Sequence, residues 1–283
     1  MHTRDEQLKA FERLLDVMDE LREKCPWDRK QTNQTLRPNT IEETYELCDA
    51  LLKEDRKNIC KELGDVLLHV VFYAKIGSET QDFDIKDVCD QLCDKLIFRH
   101  PHVFGDQKVN SADEVLVKWE EIKQKEKDGN KTVLSGVPAA LPSLIKAFRV
   151  QEKAANVGFD WERPEDVWDK VHEEYRELQA ELTSLKEQRE ALEKAGVDKK
   201  DVRYHENRLR AEQEFGDLLF SLVNAGRLYK INPDNALERT NQKFIRRFGY
   251  VEQKAKDMGR DLKDLTLGEM DALWNEAKQL ERQ

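Results

Sequence analysis

The stretch KELGDVLLHV, residues 61–70, sets Glu62 and Asp65 three apart at the head of an apolar run, and QEFGDLLFSL at 213–222 repeats the arrangement. A spacing of three puts both acids on one helical face, next to residues that favour burial. Around the first copy, Leu63, Val66, Leu67, Val70, Val71 and Ala74 recur at the interval of one buried helix face. Upstream, Ile41, Tyr45, Cys48 and Leu52 follow the same period, so a second helix with its own buried stripe is expected there. No run alternates polar and apolar residues into a hairpin turn, and the fold class is therefore all-α.

Composition agrees. Charged residues make up 37% of the 283, against 12 glycines and 7 prolines, a balance that favours long helices. The net charge of −10 argues against a broad nucleic-acid-binding face, which is ordinarily basic, and so no nucleic-acid partner is expected. The opening MHTRDEQLKAFERLLDVMDEL is charged and amphipathic, unlike a signal peptide. No apolar run approaches the roughly 20 residues of a membrane helix, so a soluble cytoplasmic protein with no membrane partner is expected. The five cysteines (Cys25, Cys48, Cys60, Cys89, Cys93) lie in the first hundred residues without a CxxC, and read as free, mostly packed thiols. Cys89 and Cys93 share a helical face, but two ligands do not make a metal site.

The breaker-rich stretch DGNKTVLSGVPAALP at 128–142 marks a linker, taken as 129–140, between domains at 1–128 and 141–283. The halves match. CPWD (25–28), EETYEL (42–47), ELGDVLL (62–68), KLIFRHPHVF (95–104) and KWEEIKQKE (118–126) are answered, in order, by GFDW (158–161), EEYREL (173–178), EFGDLLF (214–220), KFIRRF (243–248) and LWNEAKQLE (273–281). Five matches in one order indicate an internal duplication, with about five helices expected per half. Trp119 and Trp274 recur near the two domain ends and read as packing anchors. One difference stands out: fifteen residues separate Glu46 from Glu62, but thirty-six separate Glu177 from Glu214. The extra charged stretch reads as a helical hairpin insertion at 183–210, with Leu178, Leu182, Leu185 and Leu192 continuing a stripe and Gly196 at the turn. Shared between two legs it adds about three turns to each at ~3.6 residues per turn, leaving the acids below it in register.

Each half thus sets two acidic patches on neighbouring helices: Glu42, Glu43 and Glu46 opposite Glu62 and Asp65, then Glu173, Glu174 and Glu177 opposite Glu214 and Asp217. One such patch alone reads as a solvated face with acids near helix starts. Paired and repeated, converging carboxylates need neutralising, and an all-oxygen donor set points to Mg²⁺ or Mn²⁺. A di-iron carboxylate bundle would want Glu-x-x-His where ExxD stands, and His69 is read as an ordinary helix histidine.

EExxE followed by ExxD, flanked by CPWD or GFDW and by KxxxR, resembles the MazG-type nucleoside triphosphate pyrophosphohydrolases over nearly the whole chain, in the family's two-repeat layout. The resemblance implies two tandem MazG-like helical domains and a Mg²⁺-dependent cut of a nucleoside triphosphate into monophosphate and pyrophosphate. It implies metal ligands at Glu43, Glu46, Glu62 and Asp65, and at Glu174, Glu177, Glu214 and Asp217. Glu42 and Glu173 would orient water. It also implies a homodimer, which would bury apolar faces that such hairpins leave open.

Lys95 and Arg99, like Lys243 and Arg247, lie four apart on one helix face, a pattern that alone reads as solvated or dipole-pairing. The family's matching cations contact the triphosphate. Asn241 completes its NxKxxxR form, where the first half has Cys93; Arg246 and His100 are weaker helpers. Phe159 and Trp161 of GFDW, and Trp27 of CPWD, offer aromatic faces that by themselves suit core packing. The resemblance sets GFDW beside the nucleotide, making Phe159 and Trp161 base contacts, and Asn224 is placed to read a base edge where the first half has Phe72. These polar residues favour the second half as the active one, although its ligand spacing exceeds the family's usual range. There is no GxxxxGK[ST] loop and no Ser/His/Asp arrangement. The leading expectation is a pyrophosphohydrolase of broad base specificity. The alternatives are an enzyme narrowed to one nucleotide such as dUTP, and a non-catalytic helical regulator docking through 183–210.

Overall fold

The computed structural model describes residues 1–106, 115, 122, 132–195 and 202–281. The described residues form ten α-helices and no strand, in two compact units, Met1–Val115 and Leu116–Gln283. Each unit carries five of the helices, so the chain is two tandem helical domains. Among the described residues no helix is long and apolar enough to cross a membrane. The expected turn at Gly196, the packing anchor Trp119 and linker residues 129–131 lie outside the described residues.

The first unit holds α1 (Arg4–Lys24), α2 (Asn33–Leu52), α3 (Arg56–Glu79), α4 (Ile85–Arg99) and the single turn α5 (Pro101–Phe104). Helices α1 to α4 start where a side chain satisfies the orphan amides. Thr3 and Glu6 form a reciprocal capping box on α1, Asp84 and Asp87 another on α4, and the Asp55 carboxylate accepts from Lys57 and Asn58 on α3. The chain leaves α2 and α3 through the left-handed residues Glu54 (φ 54°) and Gln81 (φ 59°), which turn it sharply into the next cap. Gly77 lets the Phe83 ring pack close against α3, since a Cβ there would lie 2.8 Å from the ring and make it shift. Met18, Leu36, Val71 and Phe72 make the core, and fully burying Met18 or Phe72 contributes about 1.5–3 kcal/mol each. Arg22 ties the CPWD turn down: it donates to the backbone carbonyls of Asp28 and Gln31 and pairs with Glu79 at 2.7 Å.

The second unit holds α6 (Ser143–Ala155), α7 (Val167–Ala195), α8 (Val202–Leu228), α9 (Pro233–Asp257) and α10 (Leu267–Leu280). The α7–α8 pair is a long hairpin stitched by Asn207 to Gln188 at 2.7 Å and Arg210 to Glu181 at 3.4 Å. One core cluster joins α7 to α8 through Val167, Val171 and Ala225. Another joins α9 to α10 through Val251, Ala255 and Leu273, with Trp274 packed against it.

Four sequence expectations are corrected. The core-facing side of α2 carries Leu36, Glu43, Leu47 and Ala50, while Ile41 and Tyr45 stay 42% and 54% exposed. On α3 the stripe splits: Val71 and Ala74 are buried, whereas Leu63, Leu67 and Val70 face outward. The reason is common to both. These helices are apolar on two sides, and within its unit the hairpin covers the side that carries the acids. On α7, Leu178 is buried and Leu185 and Leu192 are half-buried, but Leu182 is exposed. The thiols are not mostly packed either: Cys25 is half-buried, and Cys48, Cys60, Cys89 and Cys93 are exposed.

Candidate metal and nucleotide site

In the first unit the α2–α3 hairpin brings carboxylate oxygens of Glu43, Glu62 and Asp65 within 4.8 Å of one another. Glu62 is 1% exposed and its Oε2 has no hydrogen-bond partner, an orphan that a buried carboxylate does not ordinarily tolerate. Its Oε1 accepts from the Lys61 ammonium at 2.8 Å, and the same ammonium lies 3.6 Å from Asp65. Burial, then the charges of Asp65, Glu46 and Glu62, push the Glu43 carboxyl above the usual range, with Lys61 opposing. Glu46 acts on the cluster through its charge but stands outside the close group. It lines a groove of about 400 Å³ with Glu42, Tyr45, Asp49 and Asn58.

The α7–α8 hairpin repeats the arrangement with different partners. Oxygens of Glu174, Glu177 and Glu214 lie within 4.8 Å of one another, and Glu174 is buried. Here the ammonium comes from Lys170, at 2.6 Å from Glu174 and 3.1 Å from Glu173, and those two hydrogen bonds raise its pKa. Burial, then the charges of Glu177, Asp217 and Glu174, push Glu214 upward. Asp217 is exposed at the margin of the close group. Three converging oxygens in each hairpin, with the Glu62 orphan in the first, suit a hard divalent cation completed by water and phosphate oxygens.

The cations sit apart on their own helices. Arg247 on α9 donates from Nε and Nη2 to Glu281 Oε2 at 2.8 and 2.6 Å and stacks 5.6 Å from the Trp274 ring centre. Arg246 reaches the same carboxylate at 3.6 Å. Lys243 lies one turn back, half-buried, and the Asn241 amide donates to Glu238 at 3.2 Å. On α4, Lys95 is exposed and Arg99 half-buried, and His100 Nδ1 lies 2.6 Å from the Leu96 carbonyl. His69 sits 3.1 Å from the Thr40 hydroxyl, which also meets Tyr73 at 2.6 Å, a packed helix histidine.

Beside α8 a cavity of about 470 Å³ collects Phe159, Trp161 and Asn224 with Gln151, Asp160 and Arg227. Phe159 is 83% exposed and Trp161 39%. Arg227 pairs with Asp160 and donates to Asn224 Oδ1 at 2.9 Å, holding the GFDW turn against α8. Sequence reading missed Lys61, Lys170 and the Asp160–Arg227 pair. The available signal was positional: Lys61 immediately precedes Glu62, and Lys170 stands one turn before Glu174.

Residues 31–104 match the family model described as the MazG nucleotide pyrophosphohydrolase domain. Over 279 residues the chain is 39% identical to the nucleoside triphosphate pyrophosphohydrolase of Escherichia coli (strain K12), covering 97% of this chain and 99% of that protein. It is 41% identical over 271 residues to the nucleoside triphosphate pyrophosphohydrolase/pyrophosphatase MazG of Thermotoga maritima, with 95% of each covered. The uncharacterized protein YabN of Bacillus subtilis is 46% identical over 91% of this chain and 49% of its own length. Likeness of this extent spans both helical hairpins, and the chain belongs to the MazG family of nucleoside triphosphate pyrophosphohydrolases.

Proposed function

We propose that the protein hydrolyses nucleoside triphosphates of several bases to monophosphate and pyrophosphate with Mg²⁺, for which Mn²⁺ can substitute. The observation that carries this reading is the convergence of Glu174, Glu177 and Glu214 across one hairpin, matched by Glu43, Glu62 and Asp65 across the other. Glu46 and Asp217, one turn from those groups, complete the two ligand sets. When bound, the cation neutralises phosphate charge and lowers the pKa of a coordinated water.

In the reaction, water oxygen bonds to the α-phosphorus and the bridging oxygen leaves on pyrophosphate. The chain's own work is positioning and charge complementarity, with no covalent nucleophile. Glu173, paired with Lys170 beside Glu174, orients that water; Glu42 has the corresponding place in the first unit. Lys243 and Arg247, with Asn241, take the departing phosphates, and Lys95 and Arg99 match them in the first unit. Phe159, Trp161 and Asn224 hold the base. The tandem copies run 1–128 and 141–283, joined at 129–140, with the hairpin lengthened at 183–210, and the second is the working one. The protein acts in the cytoplasm as a homodimer, a state supported by the outward stripes Leu63, Leu67, Val70 and Phe215, Leu219, Leu222.

The test is product analysis with a panel of nucleoside triphosphates on wild type, Glu46→Ala and Glu177→Ala. Pyrophosphate from several bases, lost in Glu177→Ala and kept in Glu46→Ala, is the expected result. No pyrophosphate from any of them, with the protein folded and Mg²⁺ bound, overturns the reading.

A further inference from the structure

Gln151, on α6, is 7% exposed and lines the cavity beside α8. Its Nε2 donates to the Phe220 backbone carbonyl at 2.8 Å. That bond fixes which way round the amide stands, because a carbonyl only accepts. The side-chain oxygen Oε1 is then the buried atom with no hydrogen-bond partner. A buried carbonyl left unpaired beside a cavity of about 470 Å³ is an acceptor waiting for a donor.

Its surroundings name the class of donor. Phe159 and Trp161 give the cavity aromatic walls suited to a flat ring. Arg227 spends its guanidinium on Asp160 and on Asn224 Oδ1, which orients the Asn224 amide and leaves its NH₂ as a donor. The cavity therefore pairs one acceptor with one donor. Each of the four standard bases carries an N–H next to a lone pair on its pairing edge, so this pair suits all of them. Asn224 lies seven residues beyond Asp217, about 10 Å along α8 at ~1.5 Å per residue, which spaces the base from phosphates held at the acids. The first unit carries apolar residues at the two matching polar positions. Phe72 stands at the position matching Asn224, and Met18 stands seven residues before CPWD as Gln151 does before GFDW. Both are packed into the core of that unit.

We propose that Gln151 is a specificity-determining residue, its Oε1 accepting an N–H of the substrate's nucleobase in the cavity formed with Asn224, Phe159 and Trp161. The assignment rests on the pyrophosphohydrolase reading for its substrate class. It explains broad base use with selectivity against rings that lack an N–H.

The experiment compares ATP with purine riboside triphosphate, which differs only in lacking the amino group. Wild type and Gln151→Leu are assayed for pyrophosphate release and, in parallel, for binding by calorimetry with Mg²⁺. Wild type is expected to favour ATP by about tenfold or more, the scale of discrimination set by a hydrogen-bonding site. Gln151→Leu is expected to lose that preference by weakening ATP while keeping the thermal midpoint of the ligand-free protein. Equal handling of the two nucleotides by wild type overturns the assignment without any variant, as does a Gln151→Leu protein that keeps the wild-type ratio. If wild type releases no pyrophosphate, the function fails, and the calorimetric ratio alone decides Gln151.

Discussion

Glu174 is buried within 4.8 Å of two other carboxylates, and among the described residues the Lys170 ammonium pairs with it. Breaking such a pair from one side leaves an uncompensated buried charge, which costs more than the pair was worth. Lys170→Met should therefore lower the thermal midpoint in metal-free buffer. It should also enlarge the rise that Mg²⁺ produces, because the cation then does the neutralising alone. Thermal shifts of both proteins with and without Mg²⁺ check this, and an unchanged Mg²⁺ increment would count against it. At this scale the acids were legible in the sequence, since spacings of three and four fix a helical face. Lys61 and Lys170 were not. In a chain with 48 lysines and arginines a cation near a glutamate carries no mark of its own, and the two units place it on different helices of the hairpin.

Helix α10 shows how one start is secured. Thr266 and Glu269 form a capping box, and Arg260 closes on the same carboxylate at 2.6 Å. The Arg260 hydrogen bond first, then the Thr266 amide and hydroxyl, pull Glu269 from its ordinary 4.5 down to about 2. A depressed carboxylate pKa stabilises the folded state above the unfolded value and loses that contribution as pH falls through the folded one. Glu269→Gln should thus melt below wild type above pH 4.5, with the gap closing as pH falls toward 2. Melting both proteins across that range measures it, and a gap independent of pH would refute the assignment. The fold was legible at this scale, because breakers and period together marked helices and their order. The sides of α2 and α3 were not. Period locates an apolar stripe but does not say which neighbour covers it, so Ile41 and Tyr45 were assigned inward and stand exposed.

For the whole molecule, the same outward stripe recurs at matched positions: Leu63, Leu67 and Val70 on α3, Phe215, Leu219 and Leu222 on α8. Association through the α8 stripe predicts that Leu219→Glu lowers the solution mass to that of one chain, as light scattering would read. A mass unchanged from wild type would remove that stripe from the interface. The duplication makes the molecule a comparison of itself: both halves keep the acids, while the polar lining beside α8 is replaced by Phe72 and Met18 in the first. A last consequence is kinetic and concerns Arg247. Its guanidinium is already occupied by Glu281, at 2.6 Å. In the proposed role of Arg247 an arriving phosphate would exchange with a tethered anion instead of with water, and that anion would return as the product departs. The cation would then not be left bare during turnover, speeding release at the expense of grip. Glu281→Gln should then bind pyrophosphate more tightly and turn over more slowly under product, readable as stronger pyrophosphate inhibition.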